Sequence, residues 1–433
     1  MTARRVAIVG GGAAGVLQAA NLVRHTGADV VLIERAADVG RGAAYSTRSP
    51  SHLLNVRAAG MSAFPEDPDH FVRWLEQRGG GRDDFAQRRV YALYLRDLLD
   101  EALASGRLRV VAGEAVDLAG AAPRLASGEI VAADATILAV GNLSPGTPAG
   151  LKPEGLADDV YVADPWRGDI AAGLGEEDAV LLVGTGLTAV DAALTLHDSG
   201  WRGRTLALSR RGLVPRPHGA PAPAPPPPAG LTPEALPLLA AVRADAALIG
   251  WRAAVDRLRP ETQRLWAEAD PRQRRLFLRH LRPWWDVHRH RIAPSIAGRI
   301  EGMEAEGRLE FGGGRILSLT PEGDGARIAW RPRGGGAARE ARVRRIVNCT
   351  GPSGDVREAD EPLLQALLAS GRIRPDAMRI GIDVDGDCRA LGADGRGSDT
   401  LRAVGPLTKS AFWEIVAVPD IRRQVQAVAL GFA

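Results

Sequence analysis

The feature that most constrains this chain is a strand, glycine turn and helix pattern that occurs twice. The first copy, VAIVGGGAAG, runs from Val6 to Gly15; the second, LLVGTGLTAVDAALTL, runs from Leu181 to Leu196. In the first, Val6–Val9 is a short apolar run of the kind a parallel strand buried on both faces requires. Gly10, Gly12 and Gly15 follow at G-x-G-x-x-G spacing. The first glycine permits the tight turn, the second lets a pyrophosphate approach the backbone, and the third lets the helix pack close to the strand. Ala13 and Ala14 open a helix, expected to run to about Arg24, whose amino end points at the phosphates. Asp29–Ile33 is the next strand, and Glu34 ends it at about the twenty-residue spacing where an acid meets a ribose hydroxyl. Such an acid repels a 2′-phosphate, so this site favours FAD or NAD.

The second copy differs where specificity is set. Gly184 and Gly186 supply the first two glycines, with Thr185 between them and Leu187 and Thr188 opening the helix, but Ala189 stands in place of the third. The following strand, Thr205–Leu208, ends in Ser209-Arg210-Arg211 instead of an acid. Two guanidiniums at that register can clamp a 2′-phosphate bidentately, which points to NADPH. The stretch GRGAAYSTRSPSHLLNVRAAGMSAFPEDPDHFVRWL, Gly40–Leu75, is a long excursion where a plain NAD domain would go directly to its next crossover. A loop of that length needs a function, and covering a flavin supplies one. The first site is therefore assigned FAD.

Taken together, GRGAAY, HLLNV, MSAFPEDPDHFVRWL, ILAVGN, GTGLTAVDAAL, SRRGLVPRPH, HLRPWWDVHRHR, VNCTGP and VGPLTKSAFWEIVAVPDIR make the chain resemble a bacterial family of FAD/NAD(P)-binding proteins related to the class B flavin monooxygenases. The resemblance implies an α/β fold of two Rossmann-like domains, a glutathione-reductase-like FAD domain and an NADPH domain, with a helical insertion. The FAD domain is expected at residues 1–165 and 345–433, and the NADPH domain at 166–344, with the insertion at about 232–306. Beyond the fingerprint residues, the resemblance places Arg35, Arg41, Gly42, Val56, Met61, Val116, Gly141, Gly351, Gly405 and Pro406 at the cofactors. It also carries over Asn55 as a catalytic residue at the reactive edge of the flavin. The chain departs from the relatives in two respects: its strand-end motifs are not A-T-G, and VYVADPW, Val160–Trp166, stands where a monooxygenase linker would read F-x-G-x-x-x-H.

The resemblance implies an enzyme in which NADPH reduces FAD and oxygen then hydroxylates a small, nitrogen-containing substrate through a flavin 4a-hydroperoxide. An NADPH-dependent reductase and a non-catalytic redox sensor are the alternatives. Composition narrows the field. The net charge is only +3 over 433 residues, lysine occurs only at Lys152 and Lys409, and no basic run is interleaved with aromatics, so no nucleic-acid partner is expected. The two cysteines, Cys349 and Cys388, form no C-x-x-C pair. No apolar run has the length of a membrane span, and the signal-like start is better explained as a phosphate loop, so a cytoplasmic protein without a membrane partner is expected. In WWDVHRHR, Asp286, His288 and His290 lack the cysteine or acidic cluster of a metal site; no metal is assigned, and His288 and His290 are placed towards substrate. A structural arginine–carboxylate network is the other reading of that segment.

Overall fold

The computed structural model describes residues 4–148 and 150–433. Each fingerprint seeds its own parallel sheet. The first sheet has the order Arg389–Leu391, Gly397–Ala403, Ala135–Leu138, Arg5–Val9, Asp29–Glu34, Leu108–Ala112, parallel except at the Arg389–Leu391 edge. The second has the order Arg339–Val343, Gly325–Pro332, Leu309–Glu322, Arg204–Ser209, Ala179–Val183, Arg345–Asn348, Tyr161–Val162. Its first three strands form an antiparallel extension and the rest are parallel. This is the expected α/β class with two dinucleotide-binding domains. The central strands read as continuous apolar runs because both faces of each sheet are covered. In the first sheet the helices Ala13–His25, Arg88–Ala104 and Val418–Leu430 bury one face.

The domain limits differ from those expected at 165 and 345. Arg345–Asn348 lies beside the second fingerprint strand, with Asn348 opposite Val183, and Tyr161–Val162 pairs on its outer side. Both strands thus belong to the second sheet. The physical reason is burial: Ile346 and Val347 are fully buried between that sheet's two layers. The helical insertion is also shorter than 232–306. Its last helix, Pro294–Ala305, packs Ile296, Ile300 and Met303 against Val180 and Leu182 of the second sheet, so it is that sheet's own crossover helix. Pro294 stands in its first turn, where a missing N–H costs nothing. What remains of the insertion is a set of short helices from Ala235 to Arg289.

The insertion is fastened to the first domain at the last helix's first turn and the segment before it. Trp266 Nε1 donates to Ser410 O at 2.8 Å, Arg259 pairs with Asp420 at 3.3 Å, and Trp266 stacks on Trp413. The long excursion after the second strand makes the opposite tie. His52 Nε2 lies 3.1 Å from Asp191 O, and Arg88 pairs with the Asp191 carboxylate at 2.7 Å, with both charged side chains largely withdrawn from solvent. HLLNV is therefore docked against the helix of the second fingerprint. Among the described residues no helix is long and apolar enough to cross a membrane.

Candidate functional site

The two fingerprints form turns of the same kind. Gly10 has φ +107° and Gly184 φ +129°, a region that side-chain-bearing residues rarely enter. A Cβ on Gly10 would lie 2.4 Å from Ala139 O, and one on Gly184 would lie 2.4 Å from Cys349 O. Each turn therefore presses on the strand that ends beside it. The second glycines, Gly12 and Gly186, precede their helices in extended conformation and offer no side-chain cap. The first N–H groups of both helices thus point out unsatisfied, as anion sites require. Around Gly186 a Cβ would meet nothing within 4 Å, and at Gly12 only Gly42 Cα at 3.6 Å. Gly15 does something else: a Cβ there would fall 1.8 Å from Gly10 O, so its role is close helix packing.

Three spaces follow one another between these turns. The first cleft, about 400 Å³, is lined by Gly10, Gly12, Ala13, Ala14, Glu34, Arg35, Arg41, Gly42 and Gly141. Glu34 stands at its far end, accepting from Gly11 N at 2.5 Å and Ala36 N at 2.7 Å. Arg35 is tied to Glu361 and Glu114, which shifts its pKa upward chiefly through the Glu361 hydrogen bond. The cleft opens past Ala44, Tyr45, Asn142, Pro406 and Val418 into a central chamber of about 530 Å³. That chamber holds Asn55, Val56, Met61, Leu187, Thr188, His290 and Gly351, and it shares Gly186, Asp286 and Thr350 with the second cleft. The residues fit the two dinucleotides: two uncapped helix starts, a long first cleft, and a common chamber where their reactive ends would meet.

The second cleft, about 810 Å³, is strongly basic. Arg210 and Arg211 line it together with Thr185, and so do Arg315, Arg331 and Arg333. None of these five arginines is ion-paired among the described residues; Arg211 donates only to Arg279 O. The three additional arginines come from the antiparallel strands Leu309–Glu322 and Gly325–Pro332 and the turn beyond them. Sequence reasoning missed them because nothing in their local pattern shows that the hairpin folds back over the fingerprint. Ser209, in the place of Glu34, hydrogen-bonds the Thr185 hydroxyl at 2.9 Å.

Asn55 is half-buried. Its carboxamide makes no hydrogen bond to protein among the described residues and opens on the central chamber. Its backbone carbonyl instead accepts from His218 Nε2 at 3.0 Å. Burial pushes His218 down to about 4, against the pull of that bond, so the ring is neutral and the bond is an ordinary N–H donation.

The pair His288 and His290 divides. His288 turns away from the chamber, its Nδ1 2.7 Å from Trp284 O and its ring edge-on to Trp251. His290 faces the chamber and lies 3.6 Å from Glu414. His288 thus stays clear of the chamber, because the helix ends at Arg289 and the chain leaves helical geometry at His290. Glu414, also missed, is the hub of WWDVHRHR: Trp285 Nε1 donates to it at 2.8 Å and Arg289 lies at 3.2 Å. Burial alone would raise its pKa, but the His290 hydrogen bond and charge, with Arg289 and Trp285, hold it down at about 2. Its backbone φ of +71° is a strained value for glutamate. The arginine–carboxylate network is therefore real.

Two further expected residues lie outside the cavities. Gly113, Glu114 and Ala115 line the first cleft, but Val116 does not. Gly405, at φ +74°, lets its turn approach Ala14, whose Cβ would be 3.3 Å from a Cβ added there. Among the described residues no three potential metal ligands converge.

Residues 7–143 match the family described as FAD-NAD(P)-binding. The whole chain also has the fold of solved two-domain structures. The ornithine N-hydroxylase of Kutzneria sp. 744, solved with reduced FAD, NADP+ and L-ornithine, is 16% identical, with a TM-score of 0.68 over 100% of this chain and 99% of that one. L-lysine 6-monooxygenase from Pseudomonas syringae is 17% identical, with a TM-score of 0.67 over 99% and 98%. Bacillithiol disulfide reductase from Bacillus cereus is 16% identical, with a TM-score of 0.56 over 100% and 99%. No curated protein matches the chain.

Proposed function

We propose that this chain is an FAD-dependent, NADPH-consuming monooxygenase that hydroxylates a small nitrogen-containing molecule. One observation carries the reading: two dinucleotide clefts of opposite character, one ending at Glu34 and the other at five unpaired arginines, open into the same chamber. Bound FAD would supply hydride acceptance and oxygen activation, chemistry that no side chain offers. The chain's own residues bind, orient and shield. The Gly10–Gly15 turn and Glu34 would hold the flavin dinucleotide. Gly184–Thr188 and the arginines would hold the nicotinamide dinucleotide, fixing its 2′-phosphate by charge-assisted bonds. The helix Val418–Leu430 presents its amino end to the chamber, where partial positive charge favours a negatively charged ring. Asn55, positioned by His218, offers a free amide to the reacting centre. The helical insertion, clamped on Glu414, roofs the chamber against water.

The nitrogen in the substrate is supported by the N-hydroxylase and the 6-monooxygenase that share the fold. The third neighbour is named a disulfide reductase, so the fold alone does not choose between oxygenase and reductase. The thiols argue against a dithiol relay here. Cys349 and Cys388 are both buried. Burial pushes Cys388 up to about 12 and Cys349 higher still, so neither is a thiolate at neutral pH. The deciding experiment supplies FAD-loaded protein with NADPH, ¹⁸O₂ and a panel of amines and amino acids. A hydroxylated product carrying one labelled oxygen supports the reading. NADPH oxidation with an electron acceptor and no labelled product would replace it with a reductase.

A further inference from the structure

We propose that Lys409 anchors a carboxylate of the substrate in the central chamber, with Arg379 as the cationic rim that admits it. The proposal rests on reading that chamber as the place of reaction. Both residues line it, and their turns adjoin: a Cβ on Gly381 would lie 2.2 Å from Leu407 O, and Ile382 N donates to Leu407 O at 3.0 Å. Arg379 is exposed at the mouth and holds a left-handed backbone, φ +59°. Lys409 lies deeper.

What sets these two apart is the state of every other charge around them. Across the chamber Arg88 is paired with Asp191, and Arg282 with Asp286 at 3.3 Å. Glu414 is taken by Trp285, Arg289 and His290. The Lys409 ammonium has no ion pair and no hydrogen bond among the described residues; its one protein contact of note is the Trp413 ring, 4.8 Å from Nζ. Lys409 is half-buried; an ammonium partly withdrawn from water and facing no anion carries a cost that a bound carboxylate would relieve. The residue type adds a separate indication. The chain meets nearly every need for positive charge with arginine and uses lysine only at Lys152 and here. An ammonium is a compact charge that can lose its proton, and a guanidinium cannot. Burial, and then Arg282, push Lys409 down to about 8, against the pull of Asp286 and Glu414. Arg379 from the neighbouring turn, His290 from the insertion, and Arg88 and Tyr45 opposite complete the groups that face it.

The test measures equilibrium binding to the FAD-loaded protein, by perturbation of flavin absorbance and by calorimetry, and so does not depend on turnover. The probes are hexanoate and benzoate, each beside its primary amide. At pH 7 the carboxylates should bind better than the amides. Lys409→Met should weaken the carboxylates about tenfold or more and leave the amides unchanged. Arg379→Ala, at an exposed position, should weaken them by less. Affinity for the carboxylates should fall as pH rises through about 8, because the deprotonated amine no longer attracts an anion; Lys409→Arg should keep carboxylate binding at pH 9. Equal binding of acid and amide, or a carboxylate affinity unaffected by Lys409→Met, overturns the proposal. So does a Lys409→Met protein whose only change is a shifted flavin reduction potential, which would make the cofactor the anion's source. Failure of ¹⁸O₂ incorporation would instead strike the monooxygenase reading and leave these binding results standing.

Discussion

The first and second fingerprints share a backbone and differ in the charge at one end. Gly10 and Gly184 turn alike, Gly12 and Gly186 leave open space alike, and each cleft is closed by a strand end pressed against the first glycine. In the first cleft the arginines are already spoken for: Arg35 by Glu361 and Glu114, Arg41 by Asp38, Arg167 by Asp164. In the second cleft none of the five is ion-paired among the described residues. The turn provides for a pyrophosphate in either place. The choice between a bare ribose and a 2′-phosphate rests on a few side chains beyond it, and so can be altered without disturbing the fold.

The largest effects should come from filling the shared part of each site. Gly12→Val puts methyl groups where the pyrophosphate must lie, so the purified protein should lose its yellow flavin while still binding NADP⁺. Gly186→Val should do the reverse, keeping the flavin and losing reduction by NADPH. Absorbance at purification and NADP⁺ titration check both, and a full flavin complement in Gly12→Val would break the assignment of the two sites. Next comes the end that differs. Replacing Arg210 and Arg211 together by alanine removes charge-assisted bonds worth roughly 1.5–3 kcal/mol each, so NADPH should weaken about a hundredfold or more while NADH changes little. Equal loss for the two nucleotides in steady-state kinetics would count against a 2′-phosphate clamp.

Smaller effects should follow at the chamber that joins the sites. Glu414 has a folded pKa of about 2 against an ordinary 4.5, so its contribution to stability is present above about 4.5 and is lost as pH falls towards 2. Glu414→Gln should lower the melting temperature at pH 7 and flatten that acid-dependent loss. Melting curves from pH 7 to 3 test it, and parallel curves for variant and wild type would remove Glu414 as the clamp. Asn55→Ala should change least in stability, because its amide makes no hydrogen bond among the described residues. Flavin retention and anaerobic reduction should persist, while hydrogen peroxide released per NADPH consumed should rise. An unchanged yield would make Asn55 a bystander.

The glycine turns, the acid of the first site and the Arg210–Arg211 pair were legible because their chemistry is local: φ, spacing and a strand end decide them. The resemblance pointed to Asn55 but not to its surroundings, since the partner of its carbonyl, His218, lies in the other half of the chain. The same non-local closure hid Arg315, Arg331, Arg333, Lys409 and Glu414, all far in sequence from the fingerprints and brought in by a hairpin or a turn. It also misled the reading of His288: the two histidines two residues apart looked equivalent, and the helix end separated them. The domain limit at 345 failed for a related reason. A buried strand announces its apolarity but not which sheet it joins.

The central claim is that an electron pair passes from a nucleotide in the arginine-lined cleft to a flavin in the Glu34 cleft. Anaerobic rapid mixing of the FAD-loaded protein with NADPH measures it directly. The account predicts loss of oxidised flavin absorbance by NADPH, much slower loss with NADH at equal concentration, and none in a Gly186→Val protein that still carries flavin. A flavin that stays oxidised with NADPH, or is reduced equally well when the second turn is blocked, would contradict it.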